Sequence, residues 1–474
     1  MNTSITRRRL LQSAGAALTM VALPPALHAQ TPAPTVLRPG PAQLRLRPSG
    51  AGTRVWGFNG AVPGPVLRYP QGARVRVAVH NALPQPTTVH WHGIRVPNAM
   101  DGVPQVTQDP IATGARFDYD FTVEDAGTFW YHPHQASFEQ VGRGLYGLFI
   151  VDEKKPVPVD REMAWVLSDF KLGRDNQQVN DFGDVAHFGG GGRLGNLLAL
   201  NGRPGVSRMQ VRAGERIRLR LLNACTARIF LIAFQDHAPW IVSHDGQPVE
   251  PHAIPGGVLL VGPGMRTDLV LDCTGKPGSS FSVLDRRDKG AELARITYSL
   301  RPPVRASVLG VPEPLAPNPI PEPDMSKAVD HFVLFEGGLL GRPAIGVIDG
   351  KPRKLHEIMS EQKLTWTMNY SAQHEHAQMH EPLLRLRRGE HVRLKLINDT
   401  EFEHPMHLHG HTFRVLSVND RPERFRPWRD TVMIGPRGSA ELGFVAANPG
   451  EWMFHCHILE HAAGGMMGTF VVED

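Results

Sequence analysis

Cysteine is scarce in this chain, with three residues in 474. A scaffold stapled by many disulfides is therefore excluded. Aromatic residues make up only 7%. Beyond the N-terminal segment no apolar run reaches the ~20 residues a membrane-crossing helix needs, so the mature form is expected to make no stable membrane insertion. A strong excess of one charge is also lacking. The formal net charge is +5, and it falls to +2 without Arg7, Arg8 and Arg9. That balance, with no basic stripe interleaved with aromatics, argues against a nucleic-acid partner.

What the chain has instead is 48 Gly and 41 Pro, a composition that suits a loop-rich β protein. Its length exceeds one core and predicts about three domains. The N-terminus reads Thr6-Arg7-Arg8-Arg9-Leu10-Leu11-Gln12, followed by an apolar run to Leu23 and then Leu27-His28-Ala29. Residues 1–29 are read as an export signal. The paired arginines point to the twin-arginine export machinery and a periplasmic destination. An ordinary secretory signal or a retained signal-anchor is the alternative.

A repeat organises the rest. Gly72-Ala73-Arg74-Val75-Arg76-Val77-Ala78-Val79-His80-Asn81 matches Gly214–Asn223 and Gly389–Asn398. Each copy is a turn glycine, an alternating strand and a closing asparagine. A second element recurs in the same order. Gly127-Thr128-Phe129-Trp130-Tyr131-His132-Pro133-His134 aligns with Gly450-Glu451-Trp452-Met453-Phe454-His455-Cys456-His457. The middle copy, Gly278–Asp285, has no histidine. Three all-β units follow, at 36–155, 160–300 and 329–474, with a Pro-rich linker at 301–328. The segment from Asp181 to Asn196, with its four consecutive glycines, reads as a surface loop without a functional role.

The chemistry concentrates in four histidine clusters: His90-Trp91-His92, His132-Pro133-His134, His404-Pro405-Met406-His407-Leu408-His409, and His455-Cys456-His457 with His461. Successive side chains on a strand alternate in direction, so His455 and His457 share a face that Cys456 leaves. A thiolate at Cys456, imidazoles at His461 and His404, and a thioether at Met466 form a blue-copper donor set. Zinc would not account for the Cys/Met pair, because a structural zinc site closes with strong ligands. Four His pairs spaced at ~7 Å on one strand face suit neighbouring ions better than chelation of one. They offer eight imidazoles, enough for three more coppers. One strand then touches both centres, with Cys456 as the bridge.

With these motifs in order, the chain resembles the three-domain multicopper oxidases of the bacterial laccase and periplasmic copper oxidase type. The resemblance implies three cupredoxin-like Greek-key barrels and four coppers. By motif position, His404, Cys456 and His461 would hold the type 1 ion, with Met466 axial and Met467 left as core. His90 and His407 would hold type 2. His92, His132 and His457 would hold one type 3 ion, and His134, His409 and His455 the other. The middle unit would be a spacer that shapes the substrate approach. The implied activity is one-electron oxidation of phenolic or aromatic donors, with electrons passing from Cys456 through His455 or His457 and dioxygen reduced to water. The partners are then a small-molecule reductant and dioxygen, and the protein is expected to be a monomer. A metallo-oxidase for Cu(I), Mn(II) or Fe(II) shares every ligand, and a non-enzymatic cupredoxin scaffold is a remote alternative.

Asp101 occupies a family acidic position and is assigned a proton-relay role, with shaping of the Met100-Asp101-Gly102 turn as the alternative. Ala462 replaces a glutamate frequent in relatives. Neighbouring Glu460 is read as a solvated or structural carboxylate, and as a proton donor only if it turns inward. Asp430 resembles a recurrent segment near the type 1 site and is read as structural support. His374, His376, Met379 and His380 could form an extra copper site, although a solvated polar loop is the favoured reading. Cys225 and Cys273 are left open between a disulfide and free thiols.

Overall fold

The computed structural model describes residues 34–307, 309–348, 350–374 and 381–474. The segment 1–29, read from the sequence as an export signal, and the residues His376, Met379 and His380 lie outside these. Residues Thr35–Asp474 form one compact unit. Among the described residues no helix is long and apolar enough to cross a membrane.

The repeated alternating segment is the same structural element three times. It is observed as strands Arg74–His80, Arg216–Asn223 and His391–Asn398. Each lies between a parallel and an antiparallel neighbour. The parallel neighbours are Thr35–Leu37, Arg161–Phe170 and Val329–Gly337. The antiparallel ones are Arg116–Thr122, Arg266–Asp272 and Ser439–Val445. The second repeated element, Gly127–His132, Ser280–Asp285 and Gly450–Cys456, is an interior strand of a second sheet in each unit. It pairs antiparallel with Gly147–Asp152, Ala291–Tyr298 and Met467–Glu473 in turn. Two sheets facing each other in three successive units make the fold all-β and cupredoxin-like, as expected.

The closing asparagines explain themselves. The Oδ1 atoms of Asn81, Asn223 and Asn398 accept the backbone N–H two residues on, at 2.9, 3.0 and 3.0 Å. Their amide groups donate to two carbonyls each, including Ile111, Val261 and Gly435. A short amide side chain ends the strand and turns the chain while satisfying buried backbone. Each unit has its own apolar cluster, built around Val77, Leu219 and Leu394. A fourth cluster, with Trp130 and Phe170, joins strands of the first and middle units.

Among the described residues the Pro-rich stretch between Tyr298 and Val329 forms no helix or strand. Asn318 fastens it by bonding both the N–H and the carbonyl of Ala126. Cys225 and Cys273 are buried free thiols in the middle core, which resolves the open alternative.

Candidate metal centre

Strand pairing assembles the histidines. His90 pairs with His132 across the sheet of the first unit. In the third unit His407 pairs with His455, and Met406 with Cys456. Because directions alternate along a strand, Cys456 joins the apolar cluster with Met406 and Met466, while His455 and His457 leave it together. Their rings lie 5.6 Å apart.

Eight imidazoles meet in one buried cluster: His90, His92, His132, His134, His407, His409, His455 and His457, each no more than 2% exposed. Rings of His90 and His409 stack at 3.8 Å, and those of His92 and His407 at 3.7 Å. Most of the outer nitrogens are occupied, those of His134 and His457 excepted. Nδ1 of His90 bonds the carbonyl of Asp101, Nδ1 of His132 that of Pro133, Nδ1 of His407 that of Asp430, and Nδ1 of His455 that of Cys456, at 2.8–2.9 Å. A carbonyl only accepts, so these Nδ1 atoms carry the proton and Nε2 is a bare lone pair. The Nε2 atoms of His90, His132 and His407, Nδ1 of His92 and both nitrogens of His457 have no hydrogen-bond partner. Nε2 of His455 lies 3.3 Å from Nε2 of His134 and 3.1 Å from Nε2 of His409.

Burying an unpaired polar atom costs roughly 1–3 kcal/mol. So many inward lone pairs together fit bound metal ions and no apolar packing. Burial also holds His92, His132, His134, His407, His409, His455 and His457 below the usual histidine range, which keeps them neutral and able to ligate. Compact donor sets include His134, His409 and His455, and also His90, His92 and His132.

A second donor set lies on the other face of the strand. Cys456 Sγ is 3.6 Å from Nδ1 of both His404 and His461, which are 3.1 Å from each other. The Thr400 hydroxyl donates to Asn398 Oδ1 at 2.7 Å and so accepts from His404 Nε2 at 2.8 Å. His461 Nε2 donates to the carbonyl of Gly190 at 2.7 Å. Both Nδ1 lone pairs are thereby left facing the sulfur. Burial pushes the Cys456 thiol well up, so a metal must displace its proton to bind. Met466 is fully buried in the same cluster, and its carbonyl accepts the Cys456 N–H at 3.0 Å. Trp366 lies 5.1 Å from the His404 ring and 4.6 Å from that of His461. A cavity of about 460 Å³ reaches His461, lined by Leu194, Ile229, Phe402, Ile458 and several charged side chains.

Asp101 lies beside the imidazole cluster as the sequence reading placed it, whereas Asp430 and Glu460 do not follow that reading. Asp101 is fully buried, with Oδ2 2.8 Å from His409 Nδ1 and Oδ1 3.3 Å from His90 Nδ1. Asp430 lies against the eight-imidazole cluster, with Oδ1 3.1 Å from His92 Nε2, rather than beside the sulfur site. Glu460 is only 1% exposed, in helix Leu459–Ala463, and burial raises its pKa to about 7. It is not solvated. His374, the described member of its cluster, bonds Gln362 at 3.1 Å.

Two contributions escaped the sequence reading. The glycine run is no idle surface loop, because Gly190 meets His461 through a backbone atom that carries no side-chain signal. Arg266, in the unit without metal donors, bonds Asp430. Its only sequence trace is a basic residue opening a strand.

Three segments match the multicopper oxidase family: residues 43–156, 173–297 and 348–474. The chain is 31% identical to the multicopper oxidase MmcO of Mycobacterium tuberculosis, over 93% of this chain and 87% of that protein. It is 28% identical to the iron transport multicopper oxidase fetC of Epichloe festucae, over 90% and 74% respectively. Its fold superposes on a multi-copper oxidase from Pseudomonas thermotolerans with a TM-score of 0.81 at 32% identity, covering 93% of this chain and 99% of that one.

Proposed function

The chain belongs to the multicopper oxidases, oxidoreductases that use copper and oxygen, and on that premise we propose that it is a laccase-type enzyme. It takes single electrons from phenolic or aromatic donors and reduces dioxygen to water with four. In this reading His404, Cys456, His461 and Met466 would hold the type 1 copper. His90 and His407 hold type 2. His92, His132 and His457 hold one type 3 ion, and His134, His409 and His455 the other. Copper in these sites supplies one-electron redox chemistry and oxygen activation.

The chain's own groups do the rest. His461 borders the cavity where a donor ring would rest against Leu194, Phe402 and Ile458. Cys456 is joined through two peptide units to His455 and His457, which gives a covalent path between the two donor sets. Asp101 takes the proton-relay role, its Oδ1 facing His90 and its Oδ2 bonded to His409. Burial of every ligand excludes water from the path.

The observation that supports the reading most is the Cys456 sulfur, 3.6 Å from two imidazole nitrogens, with both sequence neighbours in the eight-imidazole cluster. Phenols are favoured over metal ions because three of the four carboxylates at the cavity are matched by arginines, while the fourth, Asp285, is buried with its Oδ1 on backbone N–H groups. Glu403 pairs with Arg287, Asp288 with Arg228 at 3.3 Å, and Glu401 with Arg437 at 2.6 Å. A second reading, a metallo-oxidase for Cu(I), Mn(II) or Fe(II), is supported by the iron-transport relative. The sequence supports export to the periplasm by the twin-arginine route, action as a monomer, and domain limits at 36–155, 160–300 and 329–474.

Oxygen uptake by the copper-loaded protein with a phenol panel against Cu(I), Mn(II) and Fe(II) tests the assignment. Blue colour and uptake with phenols are expected. Uptake with metal ions alone would move the enzyme to the second reading, and a colourless protein inert toward air would end both.

A further inference from the structure

The middle unit holds no metal donor, yet one of its arginines reaches the eight-imidazole cluster. Arg266 opens strand Arg266–Asp272 and is 0% exposed. Its guanidinium grips Asp430 at both oxygens, Nη1 to Oδ1 at 2.8 Å and Nη2 to Oδ2 at 2.6 Å. Nη1 also donates to the carbonyl of Gly264, Nη2 to that of Asp245 and Nε to that of Thr128, at 3.0–3.2 Å. All five N–H groups are used. They bind segments from all three units, Thr128 in the first, Gly264 and Asp245 in the middle, and Asp430 in the third.

Asp430 passes that constraint on. Its Oδ1 accepts from His92 Nε2 at 3.1 Å and from the Thr431 hydroxyl at 2.8 Å. Its backbone carbonyl accepts from His407 Nδ1 at 2.9 Å. These bonds leave His92 Nδ1 and His407 Nε2 as the bare, inward nitrogens. A carboxylate free to rotate would define neither the tautomer nor the ring angle, whereas a forked arginine locks it in plane. Gly93 confirms how tightly the pair is seated. It has φ +84°, and a Cβ there would lie 2.3 Å from Arg266 Nη2 and 2.4 Å from Asp430 Oδ2.

We propose that Arg266 is a positioning residue for the oxygen-reducing cluster, acting through Asp430 on the metal-binding nitrogens of His92 and His407. The middle unit is then part of the cluster's support as well as a spacer. The inference rests on the multicopper reading of the site.

Arg266→Lys keeps the charge but cannot span both carboxylate oxygens. In the copper-loaded variant the blue band stays near that of the parent, although the thermal midpoint falls as buried hydrogen bonds are lost. The type 2 electron paramagnetic resonance signal changes or copper per chain falls, and kcat drops roughly tenfold or more with every donor. Arg218→Lys is the control, since Arg218 also ties units together, through Glu153 and Asp268 at 2.6 Å. Its bonds reach no imidazole of the cluster, so it leaves the type 2 signal and kcat within about twofold. Should Arg266→Lys not fold, Asp430→Asn reads the same link from its other end and carries the same expectation. An unchanged type 2 signal and kcat in Arg266→Lys, or in Asp430→Asn where that variant stands in, would overturn the proposal. So would an equal effect of Arg218→Lys, which would reduce Arg266 to an interface staple. A parent protein without a blue band would fail the multicopper reading itself, a result distinct from these.

Discussion

The backbone carbonyl of Gly190 accepts the Nε2–H of His461 at 2.7 Å, so a loop of the middle unit covers the outer edge of the imidazole nearest the donor cavity. The loop is held there by fixed contacts. The carbonyl of Phe188 accepts the Trp366 indole N–H at 2.6 Å, and that of Gly189 accepts the Leu339 N–H at 2.8 Å. A hydrogen bond to a carbonyl makes a ligand imidazole more basic and stabilises the oxidised metal. A Cβ at Gly190 would lie 2.4 Å from the Ala186 carbonyl, whereas one at Gly191 meets nothing within 4 Å. Gly190→Ala therefore displaces the carbonyl, raises the type 1 potential and costs about 1 kcal/mol or more of stability. Gly191→Ala changes neither. Redox titration of the blue band and thermal unfolding distinguish the pair, and equal potentials in both variants would count against the bond's tuning role.

Met466 provides a second handle on the same potential. It shares the buried cluster of Cys456. Met466→Leu conserves volume, so the expected stability loss is under about 1.5 kcal/mol. Removing an axial thioether destabilises the oxidised metal, so the potential rises. A lower or unchanged value in the same titration would exclude Met466 as a ligand.

Every proposed histidine ligand was legible because the motif spacing is local and strand alternation is a strict rule. The three closing asparagines were legible for the same reason. What was hidden depends on chain segments far apart in sequence. Arg266 and Asp430 are separated by 164 positions, and nothing local pairs them. Gly190 contributes a main-chain oxygen that any residue owns. Glu460 looks like a solvated helix carboxylate until the packing of helix Leu459–Ala463 buries it. Short-range pattern reveals donors, whereas their support comes from tertiary packing.

His244 carries a pH prediction outside the metal sites. It is buried beside Arg429 and His252, and burial holds its pKa well below the usual histidine range. An unfolded chain takes up that proton near pH 6.5 while the folded one resists. Stability is then complete above about pH 6.5 and falls as pH drops below it, by up to ~1.4 kcal/mol per pH unit. His244→Phe removes the group. Urea unfolding of the copper-loaded proteins at pH 8, 6 and 5 should show the parent losing more stability than the variant. Parallel losses would mean that His244 is protonated in the fold.

Asp101 separates proton delivery from electron uptake. The turn it occupies is carried by Gly102 at φ +81°, where a Cβ would lie 1.9 Å from the Val89 carbonyl. The Asp101 carboxylate is directed to His409 and His90 instead. Asp101→Asn keeps the shape and an acceptor for His409 Nδ1, but the amide cannot carry a proton. Oxygen-consuming turnover should fall by about 10²-fold while copper content is retained. The rate at which a phenol bleaches the blue band without oxygen should be unchanged, because that step uses only the sulfur site. Asp101→Glu should restore part of the turnover. If bleaching slowed as much as turnover, or if Asp101→Asn turned over at the parental rate, Asp101 would be a structural residue and another group would deliver the protons.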